Sequence, residues 1–158
     1  MRNFVLKAFA TGFGLGYLPV APGTYGTLLA IPFAYFLLKM NPTSYVIFLI
    51  LFTIFSIGIA EGAGRLFQED DCQKIVIDEV AGFFFTMAFI PRTLPAFIIG
   101  FILFRLLDSL KPWPISYLDK NVGGGFGVVI DDVAAGIVGN IILQVLYFQT
   151  SILGARHF

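Results

Sequence analysis

Charge is what this sequence has least of. Only 13% of its 158 residues are charged, and the ten lysines and arginines balance the ten aspartates and glutamates. An average soluble domain carries about 25% charged residues. The chain has a single cysteine, Cys72, and a single histidine, His157. These shortages exclude an internal disulfide, a thiolate metal centre and the basic surplus that binding to nucleic acid requires.

Apolar residues are abundant instead. The chain is 58% hydrophobic and 16% aromatic, with a mean hydropathy of +0.87. This composition indicates a membrane protein and excludes an ordinary soluble domain or a disordered chain. We expect residues 1–158 to form one domain, because the length suits one and no repeat or linker interrupts it. At the start, Phe4, Val5, Ala8 and Phe9 predict an amphipathic segment on the membrane surface rather than a signal peptide.

Five apolar stretches follow, and their length without alternating polarity favours helices over strands. They are Tyr25–Leu38, Thr43–Ala60, Val80–Ile90, Leu94–Leu107 and Val133–Phe148. A full membrane span needs about 20 residues, with a floor near 17. Only the second stretch reaches that floor without its flanks, and the third is short enough to be a half-inserted helix instead. The sequence therefore predicts an all-α, compact, membrane-embedded helical bundle.

The lysines and arginines indicate an orientation. If all five stretches cross, the larger group of cations shares one side: Arg2, Lys7, Arg65, Lys74, Arg105, Lys111 and Lys120. The smaller group takes the other side: Lys39, Arg92 and Arg156. An excess of positive charge marks the cytoplasmic side. The same division puts all ten carboxylates on that side or at that end of a helix, so we expect the acidic groups to meet at the cytoplasmic boundary.

Five of these acids lie where apolar stretches begin or end. Asp78 and Glu79 precede one stretch, Asp108 closes another, and we expect Asp131 and Asp132 to open the last helix. Acids at a helix N-terminus can simply complement the helix dipole, at about 0.3–1 kcal/mol each, but that does not suit an acid at a C-terminal end. An uncompensated charge deep in a bilayer costs about 2.5–3.5 kcal/mol or more. The five must therefore face water, cations or a metal ion.

Compensation by cations of the chain is incomplete. Arg105 and Lys111 each lie three residues from Asp108, and two cations cannot neutralise five anions. A bound divalent ion would correct the deficit, and oxygen-only ligands suit Mg²⁺. Nearer the N-terminus, the stretch 22–27 offers free backbone N–H groups and the Thr24 hydroxyl at a helix start. This arrangement predicts an anion site, with a plain helix cap by Thr24 as the alternative.

If the site handles phosphate, the inventory of residues restricts the mechanism. His157 lies far from the acids in the sequence, and the position six residues after Cys72 is Asp78 rather than the arginine of a cysteine-dependent phosphatase. What remains is metal-assisted hydrolysis, in which a carboxylate orients or deprotonates water. A phosphoaspartyl intermediate is the alternative.

Four stretches resemble, in order, the motifs of the bacterial phosphatidylglycerophosphatase A family. They are Pro22–Thr27, Asp71–Gly82, Phe104–Ile115 and Gly124–Gly136. The resemblance implies a Mg²⁺-dependent enzyme of phospholipid biosynthesis that removes the terminal phosphate of phosphatidylglycerophosphate, giving phosphatidylglycerol and phosphate. It also implies an all-helical fold with a central helix surrounded by others. With the orientation argument, it implies a multi-pass protein of the bacterial cytoplasmic (inner) membrane whose active site faces the cytoplasm and meets its lipid substrate there.

Residue roles follow from the same resemblance, position by position. The implied metal ligands are Asp78, Glu79, Asp131 and Asp132. The implied phosphate-binding residues are Thr24, Arg105 and Lys111. The implied catalytic residues are Glu79 as the base, Asp108 and Asp132.

Two other classes of function are open to a chain of this composition. Acids within membrane helices often mark ion paths, so an ion or proton transporter is the main alternative. Its acids would lie near mid-membrane, whereas these gather at one end of the predicted bundle. The second alternative is a structural membrane subunit whose acids only cap helices.

Overall fold

The computed structural model describes residues 2–69 and 72–154, and within these ranges every regular element is helical. The helices are α1 (Arg2–Ala10), α2 (Pro22–Leu37), α3 (Pro42–Phe67), α4 (Ile77–Thr86), α5 (Leu94–Leu110), α6 (Ile115–Asn121) and α7 (Gly124–Gln149). A single 3₁₀ turn, Leu15–Tyr17, connects α1 to α2. The predicted all-α fold is confirmed.

Two helices are long and apolar enough to cross a membrane, namely α3 and α7 with 26 residues each. At 1.5 Å per residue each extends about 39 Å, against about 30 Å for the hydrocarbon core of a bilayer. The start of α3 is fixed by Pro42 in its first turn and by Asn41, whose side chain accepts a hydrogen bond of 2.8 Å from the Ser44 N–H. This pairing of proline and asparagine is a strong helix start.

The segment predicted as Val80–Ile90 contains a short helix followed by irregular chain. Helix α4 has ten residues, about 15 Å, which is too short to cross a bilayer as a helix. Met87, Ala88 and Ile90 beyond it are buried. Carbonyls at the end of α4 and after it find partners on α7: the Asn140 side chain donates to the Thr86 and Ala88 oxygens, and the Gln144 side chain donates to Ala88. These side-chain amides thus satisfy backbone carbonyls at and beyond the end of α4.

Helices α4 and α7 form the centre of the bundle. Helix α7 packs against α3, α4, α5 and α6, while α4 also packs against α2, α3 and α5. The two approach closely at a pair of glycines, because a Cβ placed on Gly136 would lie 2.2 Å from the Gly82 carbonyl oxygen. Phe83 and Phe104, both fully buried, pack edge-to-face beside this contact. The central helix implied by the resemblance is therefore present, with α7 in that position.

Two sequence-based boundaries were wrong, and one helix was not predicted. Helix α7 starts at Gly124, so Asp131 and Asp132 lie two turns inside it instead of opening it. The glycine run begins this helix because the Glu61 carboxylate accepts a hydrogen bond of 2.8 Å from the Gly125 N–H, which caps the helix from α3. Helix α3 continues to Phe67, past the predicted end at residue 60. Helix α6 was not predicted, because it lies between prolines and glycines, which are typical of loops.

Candidate metal and phosphate site

A cavity of about 320 Å³ lies at one end of the bundle, where the first turns of α2 and α4 meet the end of α5 and the first half of α7. Its lining includes seven charged residues: Asp78, Glu79, Arg105, Asp108, Lys111, Asp131 and Asp132. All seven were candidates from the sequence, although they come from three separate helices, α4, α5 and α7. Lys111 directly follows the last residue of α5. The fold therefore brings residues that are more than 50 positions apart into one pocket.

Three carboxylates form the core of this cavity. One oxygen from each of Asp78, Glu79 and Asp132 lies within 4.8 Å of the other two. The Glu79 Oε2 and Asp132 Oδ2 atoms are buried and have no hydrogen-bond partner among the described residues. A buried acceptor without a donor costs free energy that a folded protein rarely leaves uncompensated. Oxygen donors at this spacing, with two of them unsatisfied, fit a hard divalent cation.

Burial and mutual repulsion raise the pKa values of the two carboxyls that α4 contributes. Burial, followed by the neighbouring Glu79, raises the pKa of Asp78 well above its ordinary value. Burial, reinforced by Asp132 and Asp108, raises the pKa of Glu79 to about 8. Without a cation, Glu79 therefore holds a proton near neutral pH, and a divalent ion would displace that proton on binding.

Arg105 connects two of the acidic groups. Its Nη1 atom lies 2.6 Å from Asp108 Oδ2, one turn along α5, and 3.9 Å from Glu79 Oε1 on α4. The first turn of α2 closes this side of the cavity at Gly23, where a Cβ would lie 2.0 Å from Glu79 Oε1 and 3.0 Å from Arg105 Nη1. Only glycine lets the backbone approach this ion pair so closely, which gives the glycine of the Pro22–Thr27 stretch a physical reason.

Lys111 follows the last turn of α5, in the left-handed conformation with φ 42°. Its Nζ atom donates a 2.6 Å hydrogen bond to Asp131 Oδ2 and a second, short one to Asp119 of α6. Burial lowers the pKa of Lys111, but the hydrogen bonds that its ammonium donates to Asp119 and Asp131 outweigh burial and raise that pKa above its ordinary value. Lys111 therefore stays charged and joins α5, α6 and α7 at the edge of the cavity.

The predicted roles divide once the residues are placed. Of the four expected metal ligands, three lie in the carboxylate cluster, whereas Asp131 pairs with Lys111. Thr24 does not line the cavity; from its stretch only Pro22 and Gly23 do, together with the preceding Ala21. Asp119 is the charged residue that sequence reasoning missed, because nothing in the local pattern distinguishes it from an ordinary surface acid eight residues after Lys111. Asp71 and His157 lie outside the described residues.

An apolar helical bundle with two helices of membrane-spanning length, whose buried carboxylates converge on one cavity beside an arginine and a lysine, defines a membrane-associated protein able to hold a metal ion among acids. The particular family is shown by the sequence: residues 8–147 match the family model of phosphatidylglycerophosphatase A, and the chain belongs to that family. Membership places it among phosphatases.

Individual relatives agree with this assignment. The chain is 36% identical to phosphatidylglycerophosphatase A of Escherichia coli, over 88% of this chain and 80% of the relative. It is 35% identical to phosphatidylglycerophosphatase A of Haemophilus influenzae, over 90% and 89%. It is also 34% identical, over 90% and 94%, to a Bacteroides thetaiotaomicron protein provisionally named a phosphatidylinositol-3-phosphatase. No solved structure matches the chain significantly.

Proposed function

We propose that this protein is a Mg²⁺-dependent phosphatase of phospholipid biosynthesis that hydrolyses the terminal phosphate of phosphatidylglycerophosphate to give phosphatidylglycerol and phosphate. The observation that carries the proposal is the convergence of Asp78, Glu79 and Asp132, with two unsatisfied oxygens, next to Arg105. A phosphomonoester needs such a combination, because its charge must be neutralised while a carboxylate handles the proton of the attacking water. The names of the E. coli and H. influenzae relatives support the choice of substrate.

Asp78, Glu79 and Asp132 would hold the magnesium ion, with Asp131 contributing to the negative field next to Asp132 while it pairs with Lys111. When bound, the ion supplies positive charge that polarises the phosphate and shields its oxygens. Hard carboxylate oxygens are the ligands that Mg²⁺ prefers.

The other side chains of the cavity would bind and orient the phosphate. Arg105 would contact two phosphate oxygens with its planar fork, and Asp108 fixes the direction of that fork through the 2.6 Å ion pair. Lys111 would add a point charge at the edge. Thr24 stays our prediction for a further hydroxyl contact, one residue beyond the cavity-lining Gly23.

Hydrolysis itself needs one base. We assign that role to Glu79, which would accept a proton from water as the water oxygen attacks phosphorus. The bond between phosphorus and the glycerol oxygen then breaks, and the glycerol oxygen takes up a proton to become the free hydroxyl of the product. The pKa of Glu79, raised by burial to about 8 in the metal-free protein, falls towards a useful value beside a cation.

The placement of the site suits a lipid substrate. A lipid phosphate lies at the boundary between membrane and water, and the acidic cavity lies at one end of the bundle that contains α3 and α7. We propose a multi-pass protein of the bacterial cytoplasmic membrane, with this end in the cytoplasm, since the larger group of lysines and arginines lies on that side. The headgroup would enter the cavity while the acyl chains stay in the bilayer.

Phosphate release by purified protein in detergent micelles tests the proposal. We expect release from phosphatidylglycerophosphate in Mg²⁺, none in EDTA, and a loss of about 10²–10⁴-fold in Asp132→Asn. The matched control is Glu69→Gln, which neutralises an exposed carboxylate outside the cavity. Thermal unfolding checks that both variants fold. Full activity in folded Asp132→Asn would contradict the assignment of the site.

The substrate is tested with a panel. Phosphatidylglycerophosphate, phosphatidic acid and phosphatidylinositol 3-phosphate share a phosphomonoester and differ in what carries it. The provisional name of the Bacteroides relative makes the third a necessary comparison. We expect the highest kcat/KM for phosphatidylglycerophosphate. A higher kcat/KM for phosphatidylinositol 3-phosphate would identify the inositol lipid as the preferred substrate instead.

A further inference from the structure

A second cavity, of about 380 Å³, lies between α1, α2, α3 and α4. Eight of its thirteen lining residues are phenylalanines, and none of the thirteen carries a polar side chain. We call it the phenylalanine groove, and Phe13, Leu29, Phe33, Phe52 and Phe84 mark its course. Phe13 is 71% exposed and Phe33 53%, so the groove has an open rim on the outside of the bundle.

The groove begins close to the acidic cavity and shares two helices with it. On α4, Ile77 and Val80 line the groove while the two residues between them line the cavity. On α2, Pro22 lines the cavity and Leu29 lines the groove, seven residues or about 10 Å further along the helix. Val76 packs on Gly26 between the two spaces, where a Cβ on Gly26 would lie 2.7 Å from the Val76 Cβ. A ligand that occupies both must therefore be long enough to pass this contact.

The chemistry of the groove selects the class of that ligand. With no hydrogen-bonding side chain in its wall, the groove offers nothing to a polar molecule, whereas each methylene buried there favours binding by about fourfold. From Leu29 to Leu37 the groove follows α2 for eight residues, roughly 12 Å. A flexible hydrocarbon chain fits this shape, and a headgroup with its glycerol can span the distance from the cavity.

We propose that the phenylalanine groove binds one acyl chain of the lipid whose phosphate occupies the acidic cavity. This inference rests on the proposed function and extends it. The substrate is recognised at both ends, by charge at the phosphate and by buried hydrocarbon at the tail. The enzyme therefore discriminates among lipid phosphates by the length of their acyl chains.

Two neighbouring leucines of α2 allow a matched test. Leu29 lines the groove, whereas Leu28 is 45% exposed and does not line it. We measure kcat/KM for long-chain and dihexanoyl forms of the same lipid phosphate, at constant detergent. Leu29→Trp is expected to lower the long-to-short ratio by about tenfold, the effect of about two displaced methylenes, while Leu28→Trp leaves the ratio at the wild-type value. Equal losses for both substrates in Leu29→Trp would overturn the inference and leave the proposed function standing.

A binding measurement decides the case without catalysis. Trp113, the only tryptophan of the chain, is first replaced by phenylalanine. A fluorescent tryptophan is then placed either on the groove rim, by Phe33→Trp, or outside the groove on α3, by Leu51→Trp. Quenching is compared between a non-hydrolysable lipid phosphonate and phosphatidylcholine, both with brominated acyl chains, in Mg²⁺. We expect the phosphonate to quench the Phe33→Trp reporter at a several-fold lower mole fraction than phosphatidylcholine, and no difference for Leu51→Trp.

The outcomes separate the two proposals. If no lipid phosphate is hydrolysed, the proposed function fails and the quenching preference alone decides the groove. If both lipids quench both reporters equally, the groove holds bulk membrane lipid and the inference is overturned. If Leu29→Trp changes only the oligomeric mass in detergent, a second copy of the chain covers the groove, which also overturns it.

Discussion

The two ends of this bundle both contain a cavity, but they differ in charge. The cavity at the opposite end is the larger, at about 500 Å³, and its lining includes Tyr45, Arg92 and Tyr147 with no carboxylate among the described residues. Arg92 and Lys39 both lie over the Tyr35 ring, at 5.7 and 5.2 Å from its centre. Cations that rest on aromatic rings in this way are typical of anchors at a membrane surface.

The acidic end differs in leaving polar atoms unsatisfied. Glu79 and Asp132 each bury an oxygen that has no partner in the described part of the chain, whereas the buried Tyr45 hydroxyl beside the opposite cavity donates a 2.7 Å hydrogen bond to the Phe84 carbonyl. Volume therefore does not identify the site. Buried carboxyl oxygens without a partner do, because a fold rarely leaves such groups unpaired unless a ligand compensates for their cost.

The largest expected difference is between two single variants, one that removes a charge at the acidic end and one that removes a charge at the opposite end. We expect Asp78→Asn to lower phosphatase activity by at least about 100-fold, since it removes one of three clustered carboxylates. Arg92→Gln, at the opposite cavity, should leave kcat/KM within about twofold of the wild type. Phosphate release and thermal unfolding of both purified variants check this. A large loss in Arg92→Gln would mean that the opposite cavity takes part in the reaction.

Arg105 offers a sharper comparison within the acidic end. Arg105→Lys keeps the positive charge but loses the planar guanidinium, whose Nη1 atom lies near both Asp108 and Glu79. Hydrogen bonds to charged groups contribute about 1.5–3 kcal/mol, so we expect kcat/KM to fall by about tenfold or more. Arg65→Lys is the matched control, because Arg65 forms an exposed ion pair with Glu61 outside the cavity. Equal behaviour of the two variants would show that Arg105 acts only as a charge.

Much of the acidic end could be predicted from the sequence. Charged residues are rare in so apolar a chain, so each acid beside an apolar stretch was a candidate for the site. The free-energy cost of placing several charges in a membrane then required that a cation, water or a metal ion compensate for them. The partition of roles could not be predicted in this way. Asp131 and Asp132 are adjacent in the sequence, yet on a helix they point about 100° apart, one to Lys111 and the other to the carboxylate cluster. Only the packing of α7 against its neighbours decides which aspartate pairs with Lys111 and which joins the carboxylate cluster.

The boundaries of helices failed for a related reason. A run of glycines predicts a break, but Glu61 of α3 satisfies the Gly125 N–H from 64 residues away and allows a helix to start there. The buried chain after α4 depends in the same way on Asn140 and Gln144 of α7. Local patterns predict the apolar helices well, whereas elements that depend on a distant polar partner are invisible to them.

Lys111 provides a smaller effect, because its two acidic partners differ in burial. Asp131 is buried, whereas the side chain of Asp119 is 33% exposed and screened by water. We expect Asp119→Asn to lower kcat/KM only by about two- to fivefold, and Asp131→Asn by about tenfold or more. Steady-state kinetics with a pH profile measures both. If Asp119 positions Lys111, Asp119→Asn raises KM more than it lowers kcat. A loss of kcat/KM as large as that of Asp131→Asn would contradict the prediction that the exposed partner matters less.

The smallest effect expected is on stability, and its sign depends on the metal. In metal-free protein the pKa of Glu79 is about 8 against an ordinary 4.5, so between these values the folded state holds a proton that the unfolded chain has released. Stability must then fall as pH rises through this window. We expect the Tm in EDTA to drop by a few degrees from pH 5 to pH 8, and Mg²⁺ to raise the Tm most at the higher pH, where the carboxylates are free to bind it. Glu79→Gln should flatten the slope in EDTA, whereas Glu69→Gln should not. A Tm in EDTA that rises over this range would show that the cluster is already ionised and compensated without a cation.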